Sequence, residues 1–265
     1  MKELLRAAEA MNTLGAFLGM RDVPALSRDA LKAHTGREQA DVMVLFGGSI
    51  LAGGDVFADA MRAGVAKTYA VVGGAGHTTQ TLRDTVHAAF PDIETDGLPE
   101  AEVYRRWLEH VYGLRPDLLE TESTNCGNNI TYLLALLQKK HIPCDTVILT
   151  QDASMQRRMD AGLRLAAPDT RIVNFAAYRA EYTVREGRLT TVSPIRGMWT
   201  PERYAELLLG EIPRLRDDEA GYGPRGKGFI AHVDIPEEVL RAYETLCECT
   251  GAATREANSA YASKG

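Results

Sequence analysis

The sequence predicts an α/β protein with a Rossmann-like, doubly wound fold, in which helices cover both faces of a parallel sheet. Short apolar runs typical of strands alternate at least four times with segments of helical periodicity. The run DVMVLF at 41–46 is apolar almost throughout, as expected of a parallel strand buried on both faces. A second run, at 69–72, ends in the glycine turn GGAG and is followed by helical spacing, which gives the strand–turn–helix unit of such folds.

The chain divides into three parts along its length. Residues 1–37 are predicted to form an N-terminal helical segment, 38–180 the α/β core, and 181–265 a C-terminal helical and loop extension that packs on the core. A length of 265 residues with 45% hydrophobic content suffices for one large domain, or for one domain with an appendage.

Charge, hydropathy and cysteine spacing exclude several classes of protein. A net charge of −6 argues against a nucleic-acid binder, which would show a basic face. Apolar runs are too short for a membrane span, and charges interrupt the first twenty residues where a signal peptide would need an apolar stretch. The four cysteines form no paired CxxC pattern, so we expect free thiols, no metal site and a cytoplasmic protein.

The core elements follow in alternating order. The N-terminal segment is predicted to be helical with breaks near Pro24 and Gly36, and Ser27 is predicted to cap its second helix. Strands are expected at 41–46, 69–72, 93–94, 117–121, 145–150 and 171–177. Helices are expected at 55–63, 79–90, 100–112, from about 126 to 137, and from about 155 to 166. Their candidate caps are Thr78 or Thr79, a residue of 123–125, and Asp152 or Ser154.

The C-terminal extension has a different pattern. A hairpin is expected at 182–192 around Glu186-Gly187, then a helix at 201–209 with proline in its first turn, and a last helix at 236–247. Between these helices lies a charged, glycine-rich run at 213–229. This run is a solvated loop, a lid over a ligand site or a homodimer contact.

Four unusual loops follow predicted strands. In an open parallel sheet the ligand crevice lies beyond the carboxyl ends of the strands, so these loops are expected to meet at one edge and bind a small molecule. They begin at Gly47, Gly73, Glu122 and Gln151. The candidate ligand residues on them are Gly47, Gly48, Ser49, Gly73, Gly74, Gly76, His77, Asn125, Asn129, Gln151, Asp152, Arg157 and Arg158.

Several of these residues have two interpretations. Asn125 is a ligand contact or only a helix cap, and Asp152 is a cap or an acid that holds a ribose or metal. His77 is a proton carrier or a residue tolerated after a glycine turn. Arg157 and Arg158 lie in the first turn of a predicted helix, where cations oppose the helix dipole, so they suggest an anionic ligand or a carboxylate partner.

Spacing alone defines no reaction, because the chain shows no Ser/His/Asp order, Walker loop or HExxH motif. Three longer segments carry a resemblance instead. The segments STNCGNN at 123–129, QDASMQRR at 151–158 and 197–236 resemble the YdcF-like branch of a bacterial family of unknown function that also contains SanA and ElyC. The similarity covers about 41–236, and the segment at 197–236 is specific to that branch.

The resemblance implies a Rossmann-like fold and S-adenosyl-L-methionine binding without an established reaction. It implies the same ligand residues as the loops do, except Ser49, and adds Glu100. Glu100, Asp152 and His77 are the catalytic candidates. Asn128 stands where the family commonly has Glu, and the family's His near Ser154 or Met155 is absent, which weakens a hydrolase interpretation.

Three functions are therefore expected alternatives. The first is S-adenosylmethionine binding, with methyl transfer to an unknown acceptor if the protein is an enzyme. The second is a phosphate-handling enzyme acting on a sugar- or lipid-linked phosphate, with Arg157, Arg158 and helix starts holding phosphate oxygens. The third is a non-catalytic sensor of a small-molecule ligand.

Overall fold

A computed structural model of the chain describes residues 1–48, 50–76 and 78–251. Its helices are α1 (Lys2–Leu18), α2 (Arg28–Thr35), α3 (Ala52–Ala63), α4 (Thr79–Ala89), α5 (Glu100–Tyr112), α6 (Cys126–Lys139), α7 (Gln156–Ala166), α8 (Pro201–Leu215) and α9 (Glu237–Thr250). Its strands are β1 (Ala40–Phe46), β2 (Ala66–Val72), β3 (Leu118–Glu120), β4 (Thr146–Thr150), β5 (Arg171–Asn174), β6 (Tyr182–Arg185) and β7 (Arg188–Thr191).

Five strands form one parallel sheet in the order β3-β2-β1-β4-β5. The central strand β1 is buried at all of its positions, as its apolar run predicts. The strand order reverses direction between β1 and β4, since the chain moves outward through β2 to β3 and then returns to β4 on the other side of β1. The prediction of a Rossmann-like, doubly wound fold is confirmed.

Helices cover both faces of this sheet. The apolar sides of α3, α4 and α5 pack on one face, where Trp107 is fully buried, and α6 and α7 pack on the other. On the first face α3 and α5 approach so closely that a Cβ on Gly54 would collide with the indole of Trp107. Small residues in α3 thus set the distance between these two helices.

A third apolar cluster joins the two ends of the described chain. It contains residues of α1, α8 and α9 together with Tyr182 at the start of the hairpin β6–β7. The side chain of Asn12 fixes this junction, because its Nδ2 donates to the Tyr182 carbonyl at 2.9 Å and its Oδ1 accepts from the Tyr182 amide at 2.7 Å. The three-part division of the chain remains a prediction, although α1 and the extension share this cluster.

Most predicted elements are present, and three local predictions are wrong: one strand and the caps of two helices. Ser27 and Asn125 accept from the amides of Ala30 and Asn128 and cap α2 and α6 as expected. No strand forms at 93–94; Ile93 is buried in a turn after α4, so its apolar side chain reflects core packing alone.

The expected caps of α4 and α7 are also absent. Thr78 and Met155 occupy the N-cap positions of α4 and α7, and neither side chain accepts a hydrogen bond from its helix. Asp152 instead accepts from the amide of Ser154, which lies before the first residue of α7. Thr79 accepts from the Gly76 amide at 2.7 Å and thereby shapes the glycine turn before α4.

The glycine-rich run lies at the C-terminal end of α8 and is compact. A Cβ on Gly221, Gly223 or Gly226 would collide with neighbouring atoms of the same segment, so these glycines permit close packing of the chain on itself. Because α8 begins at Pro201 and the run begins at Pro213, about 18 Å of helix separates this run from the N-terminal end of α8.

Candidate functional site

A cleft lies at the point where the strand order reverses, between the carboxyl ends of β1 and β4. It is lined by Leu45, Phe46, Gly48, Ile50, Gly53, Tyr104, Gln151, Asp152 and Ala177. The phenol of Tyr104 fixes the loop after β1 by donating to the carbonyls of Gly48 at 3.0 Å and Ile50 at 3.1 Å. The accessible volume is about 10 Å³, room for about one water molecule.

Gln151 brings an unused hydrogen-bond donor to this cleft. Its Oε1 accepts from the Asp152 amide at 2.6 Å, which identifies the other amide atom as Nε2. Only 1% of Gln151 is exposed, and its Nε2 is buried without a hydrogen-bond partner. Burying an amide donor without a partner costs about 1–3 kcal/mol, so the position favours an acceptor in the cleft.

Asp152 is held rigidly beside it. Its Oδ1 accepts from the Ser154 amide at 2.9 Å, the Ser154 hydroxyl at 2.6 Å and the Tyr178 hydroxyl at 2.8 Å. Its Oδ2 accepts from Nε1 of Trp199 at 3.4 Å, a long and weak contact. Burial, followed by the charge of Asp152, raises the pKa of Tyr178, which keeps that phenol a donor at neutral pH. Asp152 therefore has one saturated oxygen and one weakly engaged oxygen.

Glu100 occupies the space between the loops after β1 and β2. A Cβ on Gly47 would collide with its carboxylate, and one on Gly73 would lie 3.0 Å from its Cβ, so both glycines make room for this acid. Its Oε1 accepts from the hydroxyls of Thr78 at 3.0 Å and Thr79 at 2.9 Å. Burial raises the pKa of Glu100, and the two threonine hydrogen bonds offset only part of that increase. Such a group can hold a proton at a pH where ordinary carboxyls are charged.

The glycine turn after β2 is packed against the chain itself. The Gly74 amide donates to Oγ of Ser123 at 3.2 Å, and a Cβ on Gly74 would collide with the backbone of 121–123. Gly76 is more open, with the carbonyl of Thr124 at 3.6 Å from a Cβ. Gly48 is similarly open toward the cleft, where the Gln151 Oε1 would lie at 3.6 Å.

Arg157 and Arg158 point to other parts of the protein. Arg157 donates to the Phe17 carbonyl at 2.6 Å and stacks on the Phe17 ring, and burial lowers its pKa. Arg158 binds both carboxylate oxygens of Glu211 on α8, at 2.5 and 3.0 Å. Burial opposes the charge on Arg158, but Cys126 and Glu211 keep its pKa above the ordinary value. The predicted carboxylate partner is thus Glu211.

The remaining candidate residues lie on the α6 side of the edge. Asn125 caps α6 and its Nδ2 also donates to Oδ1 of Asn128 at 2.7 Å, while Asn129 is half-buried one turn into the helix. Ser49 and His77 lie outside the described residues. The structure thus gathers Gly48, Gln151 and Asp152 at one cleft and Glu100 beside it.

Three contributors to the cleft were not identified from the sequence. Tyr104, Tyr178 and Trp199 contact the cleft loops from α5, from the end of β5 and from the segment before α8. Tyr178 follows a predicted strand, so including the loop after β5 would have found it. Trp199 carries no local signal, because its partner is 47 residues away in the chain.

Residues 1–48, 50–76 and 78–251 offer neither a metal centre nor a membrane-spanning helix. These residues contain no cluster of His, Cys, Asp or Glu that could hold a metal ion. None of their helices is long and apolar enough to cross a membrane. The four cysteines, all in this part of the chain, are free thiols as predicted.

Comparison with known proteins finds similarity to a distant relative. No protein-family model matches the chain. An uncharacterised protein of Streptomyces coelicolor is 28% identical over 148 residues, which cover 56% of this chain and 60% of that relative. The similar region is therefore less than two thirds of the relative's length, and it assigns no activity to either protein.

Proposed function

We propose that the chain binds a small metabolite in the cleft between β1 and β4, and that S-adenosyl-L-methionine is its first candidate ligand. The observation that carries this proposal is that two incompletely satisfied groups belong to neighbouring residues where the strand order reverses. Nε2 of Gln151 is a donor without a partner, and Oδ2 of Asp152 is an acceptor with one weak contact. A ligand that both accepts and donates hydrogen bonds would satisfy the two groups together.

The electrostatics of this edge support a ligand with cationic or hydroxyl groups. Asp152 is buried directly after β4, and its Oδ2 is only weakly engaged, so this oxygen favours a hydrogen-bond donor or a positive charge in the ligand. S-adenosylmethionine carries an ammonium group, a sulfonium centre and ribose hydroxyls, and when bound it supplies an activated methyl group. Asp152 would accept from a hydroxyl or ammonium, Gln151 would donate to an acceptor oxygen or nitrogen, and Gly48 would allow close approach of the backbone.

The phosphate-handling alternative has less support from the described residues. Its two arginines contact Phe17 and Glu211, so the helix start at α7 presents neither of them to the cleft. The non-catalytic sensor differs from the first proposal only in turnover. Ligand binding followed by a search for methyl transfer in mixtures of candidate acceptors separates these two.

Titration calorimetry with S-adenosylmethionine tests the proposal on a graded pair of variants. Gly48→Ala adds a methyl group that the cleft accepts, since its Cβ lies 3.6 Å from the nearest atom. Gly48→Val adds bulk to a cleft that has room for about one water molecule, and we expect it to abolish binding. Thermal unfolding shows whether both variants fold, and ligand at a hundred times its dissociation constant should stabilise the wild type by about 2.7 kcal/mol.

The expected result is binding by the wild type, weaker binding by Gly48→Ala and none by folded Gly48→Val. Equal affinity in all three proteins would show that the ligand binds outside this cleft. An absence of heat and of thermal stabilisation at millimolar ligand would reject S-adenosylmethionine.

A further inference from the structure

The segment 192–200, between β7 and α8, connects the two sides of the cleft. On the β1 side, the Arg196 carbonyl accepts from the amide of Ala52 at 3.2 Å, and the Arg196 guanidinium pairs with Asp55 of α3 at 3.0 Å. On the β4 side, the indole of Trp199 donates to Asp152 at 3.4 Å. The segment therefore spans the cleft between α3 and the loop after β4.

The attachment of this segment is weak. None of its residues is fully buried; Ile195, Met198 and Trp199 are half-buried, and the other six are exposed. The Arg196–Asp55 pair is partly exposed at both side chains, and such pairs contribute about 0–1 kcal/mol. Segments with few buried contacts open at low free-energy cost, so this one can leave the cleft while the sheet remains folded.

The groups beneath the segment are incompletely satisfied when it is closed. Gln151 has an unused donor. The hydrogen bond from Trp199 to Asp152, at 3.4 Å, is longer than the usual 2.7–3.2 Å. A cleft of about 10 Å³ also admits no metabolite in this conformation. Ligand entry therefore requires a displacement. Six of the nine residues of the segment 192–200 are exposed, and only Ile195, Met198 and Trp199 pack against the core, so this segment is able to move.

We propose that the segment 192–200 is a lid, and that Trp199 occupies in the closed state the position of a ligand's hydrogen-bond donor on Asp152 Oδ2. The ligand class that fits is one with an N–H or O–H donor able to replace the indole N–H, together with an acceptor for Gln151. This inference rests on the proposed cleft and specifies how the cleft is gated. It makes Trp199 a competitor of the ligand, so its removal strengthens binding.

Tryptophan fluorescence measures the displacement directly. The chain has two tryptophans, and Trp107 is fully buried between α3 and α5 but has the Arg196 guanidinium 6.0 Å from its ring centroid. Comparison with Trp199→Phe therefore assigns a ligand-dependent change to Trp199. With S-adenosylmethionine as the probe, we expect a red shift of emission and greater quenching by acrylamide. Trp199→Phe should abolish the shift and bind the probe about three- to tenfold more tightly, as removal of one competing hydrogen bond allows.

A second variant tests the lid without any ligand. Arg196→Ala removes the guanidinium contact to Asp55, while Asp55 keeps the hydroxyl of Tyr112 as a partner. We expect faster amide hydrogen exchange confined to 192–200. The matched control is Arg241→Ala, which removes an exposed pair with Glu237 on α9 and should leave exchange in the segment unchanged.

The outcomes separate the lid from the proposed ligand. If S-adenosylmethionine binds without changing the tryptophan emission of the wild type, and Trp199→Phe binds it with wild-type affinity, the lid is rejected and the binding proposal stands. If no S-adenosylmethionine binds, the exchange experiment decides: unchanged exchange in Arg196→Ala overturns the lid, and local acceleration supports it for another ligand.

Discussion

At the scale of single residues, Glu100 is the clearest case of a side chain whose environment differs from solvent. It is 7% exposed and is held by two threonine hydroxyls and two glycines. Because burial raises its pKa, the folded state keeps a proton that the unfolded state has released above the ordinary value of 4.5. The free energy of unfolding therefore decreases as pH rises above 4.5, until the folded pKa is passed.

Glu100→Gln should remove this pH dependence. The amide needs no deprotonation and keeps an oxygen for Thr78 and Thr79, so we expect its stability relative to the wild type to increase as pH rises above 4.5. Urea unfolding at several pH values measures the difference. Glu102→Gln on the same helix is the control, since its pKa is lowered, first by Arg105, and its loss should reduce stability at neutral pH. A constant difference across the range for Glu100→Gln would refute the shift.

At the scale of elements, the contact between α3 and α5 requires glycine at position 54, because any side chain there would collide with Trp107. Gly54→Ala places a methyl group against the indole of Trp107, which is fully buried and cannot move without displacing its neighbours. We expect a loss of about 1–3 kcal/mol from overpacking, larger than the gain of about 1 kcal/mol in helix propensity. Chemical denaturation measures the net change. Gly54→Ala with Trp107→Phe should recover part of the loss, and an additive pair would contradict the contact.

The sequence predicted elements well where one local pattern determined them. Continuous apolar runs located β1, β2 and β4, and Glu186-Gly187 located the hairpin turn, where both residues have positive φ. The sequence failed at 93–94 because Ile93 is buried by its place in the fold, without strand pairing. The cleft was predicted in part: strand ends located Gly48, Gln151 and Asp152, while Tyr178 and Trp199 reach Asp152 across 26 and 47 residues.

Partners of this kind depend on tertiary packing, which no local spacing encodes. Arg158 illustrates the same point, since its position in the first turn of α7 indicated a negative partner and its packing decided that the partner is Glu211. Arg158 pairs with an internal carboxylate because α8 packs beside α7 and brings Glu211 to it. The sequence pattern did not predict how these two helices pack.

At the scale of the whole molecule, the pair between Arg158 and Glu211 joins the extension to the α/β core. The side chains are 13% and 5% exposed, and Arg214 adds a second contact to the same carboxylate at 3.2 Å. Glu211→Gln should leave two guanidinium groups without a buried counter-charge and cost about 3–5 kcal/mol. The double change Arg158→Met with Glu211→Leu should cost less, because it removes the charges together. Thermal unfolding compares the double variant with Glu211→Gln and with Arg158→Met alone. A double variant less stable than both single variants would argue against a coupled pair.

The shared cluster of α1, α8 and α9 has a consequence for how the protein is made. The helix α1 is synthesised long before its packing partner α9, which begins at Glu237. At synthesis rates of about 5–20 residues per second, the apolar side of α1 waits on the order of 10–40 s for that partner. During that interval Met11, Leu14 and Leu18, all fully buried in the finished protein, are available to chaperones or to other nascent chains. Fusing or tethering the two helices in a circularly permuted gene would remove the delay, because they would then emerge together.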